Sequence, residues 1–145
     1  GFGAEDFARS HPGGALGRRL LTHVRDVMRE QPATVTPDAS VAEAILAISR
    51  GGLGMTAVVD PQRRVVGIFT DGDLRRAFGQ AADLRSLRVT DVMTREPRSI
   101  GPDRLAVEAV EMMEKFRINQ LLVTDGDGVL VGALNMHDLF QAKVI

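Results

Sequence analysis

Two short segments carry the side chains best suited to bind a small molecule. Thr70 and Asp73 stand three apart, as do Asn135 and Asp138. Each pair follows an apolar run of strand type and opens a stretch of helical type. A hydroxyl or amide and a carboxylate then lie near the free backbone N–H groups of a helix start. Two chemistries fit, and they are compatible. One is a capping box, in which each side chain satisfies the other residue's backbone. The other is a ligand site: one carboxylate supplies the acceptor pair that a vicinal diol needs, and the helix start favours an anion beside it. His137 stands between Asn135 and Asp138. It is either a locally satisfied surface or core residue or, facing a cleft, a protonable donor to phosphate or carboxylate. One segment has Thr where the other has Asn and an added His. Two clefts built on them would therefore differ, binding different ligands or leaving one empty.

The walls of such sites would come from extended segments nearby. Thr34 and Val35, Ser99 and Ile100, the run Met55-Thr56-Ala57 and the run Asn119-Gln120-Leu121 all fall in short stretches of strand type. Their small polar groups suit recognition of a base edge, and Val35 and Ile100 suit packing on a flat base. The same residues are also readable as ordinary core strands. With no tyrosine or tryptophan in the chain, stacking would be aliphatic. Arg75, Arg76, Lys115 and Arg117 are candidate phosphate contacts, each also readable as a solvated charge.

Other chemistries are poorly served. The chain has no cysteine, which removes disulfides and thiolate metal sites and fits a cytoplasmic location. His11, His23 and His137 are scattered without metal-site spacing. Asp125-Gly-Asp-Gly128 invites a calcium reading, but no acid closes the pattern, and a hairpin turn is expected there. Gly13-Gly-Ala-Leu-Gly17 follows no strand and is not expected to cradle phosphate. Eighteen basic against nineteen acidic residues leave no basic excess of the kind that nucleic acid selects. No apolar run reaches the roughly 20 residues that span a bilayer. No nucleophile with its base, acid–base pair or metal cluster emerges, so this chain is not expected to be an enzyme by itself. Neither a metal nor a cofactor is expected.

The elements that position these residues occur twice. Val24-Arg-Asp-Val-Met28 returns as Val89-Thr-Asp-Val-Met93, an offset of 65 residues. At that offset Pro32 matches Pro97, Glu43 matches Glu108, Asp60 matches Asp125, Gly67 matches Gly132 and Asp73 matches Asp138, with no insertion. In the first copy a helical turn at 25–28 leads to an extended stretch at 33–36. Asp38 or Ser40 caps the next helix, with Glu43 completing a box on Ser40. Val41, Ala44, Ile45 and Ile48 form its buried stripe, and Gly51 and Gly52 end it. Strands at 55–59 and 65–69 flank a turn at Asp60-Pro61. A helix from Thr70 carries Leu74 and Phe78. The second copy reads as helix 105–116, strand 120–123, turn 125–128, strand 129–134 and a helix from Asn135. The fold class is α/β (α+β), with two β-α-β-β-α repeats packed about a pseudo-two-fold axis. A unit of about 60 residues buries little surface alone, so the two small sheets are expected to face each other over one core. The boundaries read 1–23 linker, 24–82 first repeat and 83–145 second repeat.

This arrangement resembles the CBS domain, and its tandem copy resembles a Bateman module. The resemblance spans 24–140. It rests on the Val-x-Asp-Val-Met openings, the proline-flanked first strands, and the segments Gly67-Ile-Phe-Thr-Asp-Gly-Asp73 and Gly132-Ala-Leu-Asn-Met-His-Asp138. It implies a sensor of small molecules. It implies that Asp73 and Asp138 accept from ribose hydroxyls, with residues 70 and 135 near a phosphate. It also implies a homodimer formed through the helices that follow the strands.

The first residues are more specific. Ala4-Glu-Asp-Phe-Ala-Arg-Ser-His-Pro-Gly-Gly-Ala-Leu-Gly-Arg-Arg-Leu20 is similar to the linker of bacterial D-arabinose 5-phosphate isomerases. Gly54-Met-Thr-Ala-Val-Val-Asp60, Gly67-Ile-Phe-Thr-Asp-Gly-Asp-Leu-Arg-Arg76 and the His137-Asp138 pair are similar to the same family. In that family a sugar-isomerase (SIS) domain precedes the CBS pair. The resemblance implies a regulatory fragment whose SIS domain is absent from this chain, with His11 a contributor to the parent's isomerase site. The parent would interconvert ribulose 5-phosphate and arabinose 5-phosphate for Kdo and lipopolysaccharide. The ligand implied is a nucleotide or nucleotide-sugar, CMP-Kdo first and adenine nucleotides next. The other reading is structural, a pair that only assembles an oligomer and keeps its clefts empty. The chain opens on Gly1 rather than Met, which reads as an excised piece, with Gly1 either native or left from a tag.

Overall fold

The computed structural model describes residues 20–80 and 83–145; His11 and most of the 1–23 linker lie outside the described residues. Helix α1, Val24–Val27, leads to strand β1, Thr34–Val35. Helix α2, Val41–Gly51, starts on the expected box, which forms on Ser40 and not on Asp38. The Ser40 hydroxyl accepts from the Glu43 N–H at 3.1 Å, and the Glu43 carboxylate accepts from the Ser40 N–H at 3.2 Å. Val41, Ala44, Ala47 and Ile48 are its buried face, with Ile45 partly covered. Strands β2, Met55–Val59, and β3, Val65–Thr70, form a hairpin that feeds helix α3, Asp71–Gln80. Leu74 packs on the core, whereas Phe78 is 65% exposed and contributes nothing to it. Short strand β4, Thr94–Arg95, follows.

The second half repeats the order. Strand β5, Ser99–Ile100, helix α4, Ala106–Phe116, strands β6, Gln120–Thr124, and β7, Leu130–Asn135, and helix α5, Met136–Gln141, complete it. The first sheet has the order β1-β2-β3-β4, and the second β5-β6-β7. In both, the first strand runs parallel to the second and the second antiparallel to the third. Even the register irregularity recurs, between Val58 and Val59 and between Val123 and Thr124. The turn after β6 is closed by Asp125, whose Oδ1 accepts from the Asp127 and Val129 N–H groups at 2.9 and 3.0 Å.

Several hydrogen bonds between the repeats come in exchanged pairs. The Val65 N–H donates to Gly128 O at 3.1 Å, and the Leu130 N–H donates to Arg63 O at 2.9 Å. The Val24 N–H donates to Arg104 O and the Val89 N–H to Ala39 O, both at 2.8 Å. Each pair interchanges under the sequence offset, as a two-fold relation requires.

The opening motifs are themselves exchanged. Val24 is buried among Ile100, Ala106, Met113 and Leu121 of the second repeat. Val89 is buried among Val41, Val58 and Phe69 of the first. The Arg29 backbone bonds Ala133 in both directions, at 2.8 and 3.1 Å, where β4 pairs Thr94 with Ile68 in the other sheet. The packing units are thus offset from the sequence repeats. Between the sheets, Leu53, Met55, Ala57, Val59 and Ile68 pack with Leu122, Leu130 and Ala133 in the shared core. Among the described residues, no helix is long and apolar enough to cross a membrane.

Candidate functional site

Where β3 passes into α3, Thr70 and Asp73 cap each other. The Thr70 hydroxyl accepts from the Asp73 N–H at 3.1 Å, and Asp73 Oδ2 accepts from the Thr70 N–H at 3.0 Å. The capping chemistry is therefore realised, and its backbone bond falls on one carboxylate oxygen. The other, Oδ1, accepts from the Thr94 hydroxyl at 3.0 Å and from the Arg76 guanidinium. Asp73 is 4% exposed, and these partners satisfy its buried carboxylate. The Arg76 side chain is 65% exposed. Its guanidinium can turn into water while ligand hydroxyls replace its bond at Oδ1.

The exchange of opening segments builds the rest of the site. A cleft of about 300 Å³ joins three parts of the chain. The first repeat supplies Ile68, Thr70, Asp73, Arg75 and Arg76. The connection supplies Thr94, Pro97 and Arg98, and the second repeat supplies Arg117, Ile118, Asn119 and Gln120. Among the described residues, Arg75, Arg98 and Arg117 have no carboxylate at ion-pair distance. Arg98 lies 3.7 Å from the centroid of the Phe116 ring, a stacking contact that holds its guanidinium in place. A concave site edged by unpaired cations concentrates anions.

The second cleft begins alike and then diverges. Asn135 Oδ1 accepts from the Asp138 N–H at 2.8 Å, and Asp138 Oδ2 accepts from the Asn135 N–H at 3.1 Å. Asp138 Oδ1, however, accepts from Arg29 Nε at 3.2 Å and Nη2 at 3.0 Å. At the offset, Arg75, Arg76, Arg98 and Arg117 correspond to Phe140, Gln141, Ala33 and Gly52. His137 is exposed at the position matching Gly72.

Of the residues singled out in the sequence, the first cleft gathers Thr70, Asp73, Asn119, Gln120, Arg75, Arg76 and Arg117. Lys115 stands 5.3 Å from the Phe116 centroid, outside that lining. Thr34 and Val35 pair with Ala57 and Val58, and Val35 packs on the first repeat's core. The Thr56 hydroxyl, 1% exposed, donates to Ala33 O at 3.0 Å. Met55 and Ala57 belong to the shared core, and Leu121 to the second repeat's core. The side chains of Met55, Thr56, Ala57 and Leu121 are placed in packing and not in the cleft lining. Ser99 and Ile100 border a separate groove with Thr124. Thr94, Pro97, Arg98 and Ile118 were not singled out. One signal pointed to Thr94, its place just after the second Val-x-Asp-Val-Met motif, but no local pattern records that this motif crosses over.

Comparison with known proteins agrees with this fold. The CBS domain family model matches residues 24–80 and 89–144. Over its full length the chain is 50% identical to arabinose 5-phosphate isomerase KdsD of Yersinia pestis, of which it covers 44%. It thus spans less than half the length of that curated relative. The CBS domain pair of protein MJ0100, in complex with 5′-methylthioadenosine and S-adenosyl-L-methionine, superposes with a TM-score of 0.77 at 24% identity, over 85% of this chain and 96% of that one. The CBS domain protein PAE2072 from Pyrobaculum aerophilum, complexed with AMP, superposes with a TM-score of 0.74 at 22% identity, over 81% and 89%. At these identities the two structures speak to the fold. The duplicated motifs, the exchanged two-fold packing and the family match together place this chain in the CBS domain family, as a tandem pair.

Proposed function

We propose that the chain is the regulatory module of an arabinose 5-phosphate isomerase and that its Asp73 cleft binds a nucleotide or nucleotide-sugar. One observation carries the reading: a buried carboxylate shares a cleft with the unpaired guanidiniums of Arg75, Arg98 and Arg117. The carboxylate suits a ribose diol, and guanidiniums suit phosphate. The AMP complex of a protein with the same fold supports a nucleotide. The finer reading is CMP-Kdo. It is the activated end product of the route that arabinose 5-phosphate supplies, and it presents a ribose, a phosphate and a carboxylate. Feedback follows if it binds two states of the parent enzyme unequally. The isomerase chemistry, ribulose 5-phosphate to arabinose 5-phosphate in the cytoplasm, would belong to a SIS domain of the parent, with His11 contributing to that site.

Calorimetric titration with CMP-Kdo, CMP, AMP and ATP tests the proposal. Saturable binding, with CMP-Kdo tighter than CMP, supports it. No heat from any of the four at millimolar concentration leaves the clefts without a nucleotide role.

A second reading, self-association, is favoured by Phe78 and Phe140. They are 65% and 61% exposed on α3 and α5, the helices that follow the strands. Sedimentation equilibrium should then show a homodimer in the wild type and a monomer in Phe78→Ser/Phe140→Ser. A monomeric wild type excludes this reading.

A further inference from the structure

We propose that Arg29 plugs the second cleft from inside, so that only the Asp73 cleft is open to a ribose-bearing ligand. The nature of that ligand rests on the function proposed above; the plug itself does not. The oxygen at stake is Oδ1 of the cleft aspartate. In the first cleft two side chains reach it: Arg76 of α3, 65% exposed, and, where the chain crosses over, Thr94, whose short side chain makes one bond of 3.0 Å. In the second cleft the matching position is Arg29, which spends both Nε and Nη2 on Asp138 Oδ1. The guanidinium is thus bonded to the atom a ribose hydroxyl would use.

Its origin is fixed as firmly as its tip. The Arg29 backbone is held by two hydrogen bonds to Ala133. Its guanidinium also reaches the opposite wall, since a β-carbon built on Gly52 would lie 3.6 Å from Nη1. It therefore spans from the start of α5 to the end of α2. In the first cleft those two walls are Asp73 and Arg117, and the space between them is open. Asp138 is 13% exposed and Arg29 39%, so the pair is screened less than a surface ion pair. A hydroxyl entering there must expel the Arg29 guanidinium and replaces an ion pair with hydrogen bonds from a neutral donor.

Adenosine is the probe, because it needs the diol acceptor and no phosphate contact. In amide NMR spectra of the chain, adenosine should leave residues 52–55 and 135–138 unmoved in the wild type. In Arg29→Thr, which installs the residue found at position 94, it should shift them, and in Arg29→Thr/Asp138→Asn the shifts should be lost. Shifts at 52–55 and 135–138 in the wild type, or none there in Arg29→Thr, overturn the plug. A second readout needs no ligand: the Arg29 Nε–H signal should exchange slowly with water and lose that protection in Asp138→Asn. An Nε–H exchanging as fast as that of Arg75 overturns the plug whether or not any nucleotide binds. A protected Arg29 Nε–H in a chain that binds no nucleotide supports the plug and sinks the nucleotide reading.

Discussion

Gly52 and Arg117 hold the same left-handed cap at the ends of equivalent helices, with φ of 68° and 54°. Glycine takes this conformation freely; any other residue is held there against a cost of roughly 1–2 kcal/mol. At Gly52 the second cleft receives no side chain from the cap. At Arg117 the strained residue lines the Asp73 cleft. Strain kept beside the proposed site points to use.

Arg117→Gly should therefore separate stability from binding. Denaturant unfolding should show a gain of up to about 1 kcal/mol, while AMP affinity falls about tenfold for one charge-assisted contact. A variant that loses stability and keeps affinity would contradict both roles.

The two aspartates should not be equivalent. Asp73→Asn keeps the side chain's volume and one acceptor, and should weaken AMP by about 10- to 100-fold in calorimetry. Asp138→Asn should leave AMP affinity within about twofold, since Arg29 already holds that carboxylate.

The exchange of opening motifs makes a steric prediction. A β-carbon on Gly67 would lie 2.5 Å from Met93 Sδ and 3.0 Å from Thr94 O. One on Gly132 would meet Met28 Sδ and Arg29 O at the same distances. Gly67→Ala and Gly132→Ala should each destabilise the fold by about 1–3 kcal/mol. Gly67→Ala/Met93→Ala should be less destabilised than the sum of its parts, because the shortened side chain no longer meets the new methyl. Additivity would break the contact.

Acid stability has a local handle at Asp38. Its carboxyl is held below its ordinary value of 3.8, first by the Thr36 hydroxyl, then by its own backbone N–H, with a smaller contribution from Arg88. A pKa lowered on folding stabilises above the unfolded value, and that gain is lost as pH falls through the folded one. Thr36→Val should lie below the wild type in stability at neutral pH, and the two curves should converge in strong acid. A gap that persists in acid assigns the effect to packing.

Local elements were legible in the sequence because their signals are local. The Ser40–Glu43 box, the Asp125 turn and the register of the two copies sit within a few residues of one another, and periodicity and offset record them. The cleft was legible only in part. Thr70 and Asp73 form a local cap and could be singled out. Thr94, Pro97 and Arg98 face them only because the second opening segment packs on the first repeat. The first strands and strand starts were ambiguous for the opposite reason. Short apolar runs with small polar groups describe a base-binding wall and a buried strand equally well, and burial placed Thr56, Ala57 and Leu121 in packing.

A single open, cationic, diol-accepting cleft should reveal itself in amide NMR titration of the chain with AMP and with CMP-Kdo. Saturable shifts are expected at 70–76, 94–98 and 117–120, with residues 135–138 quiet. No shifts at millimolar ligand, or shifts confined to 135–138, would contradict it.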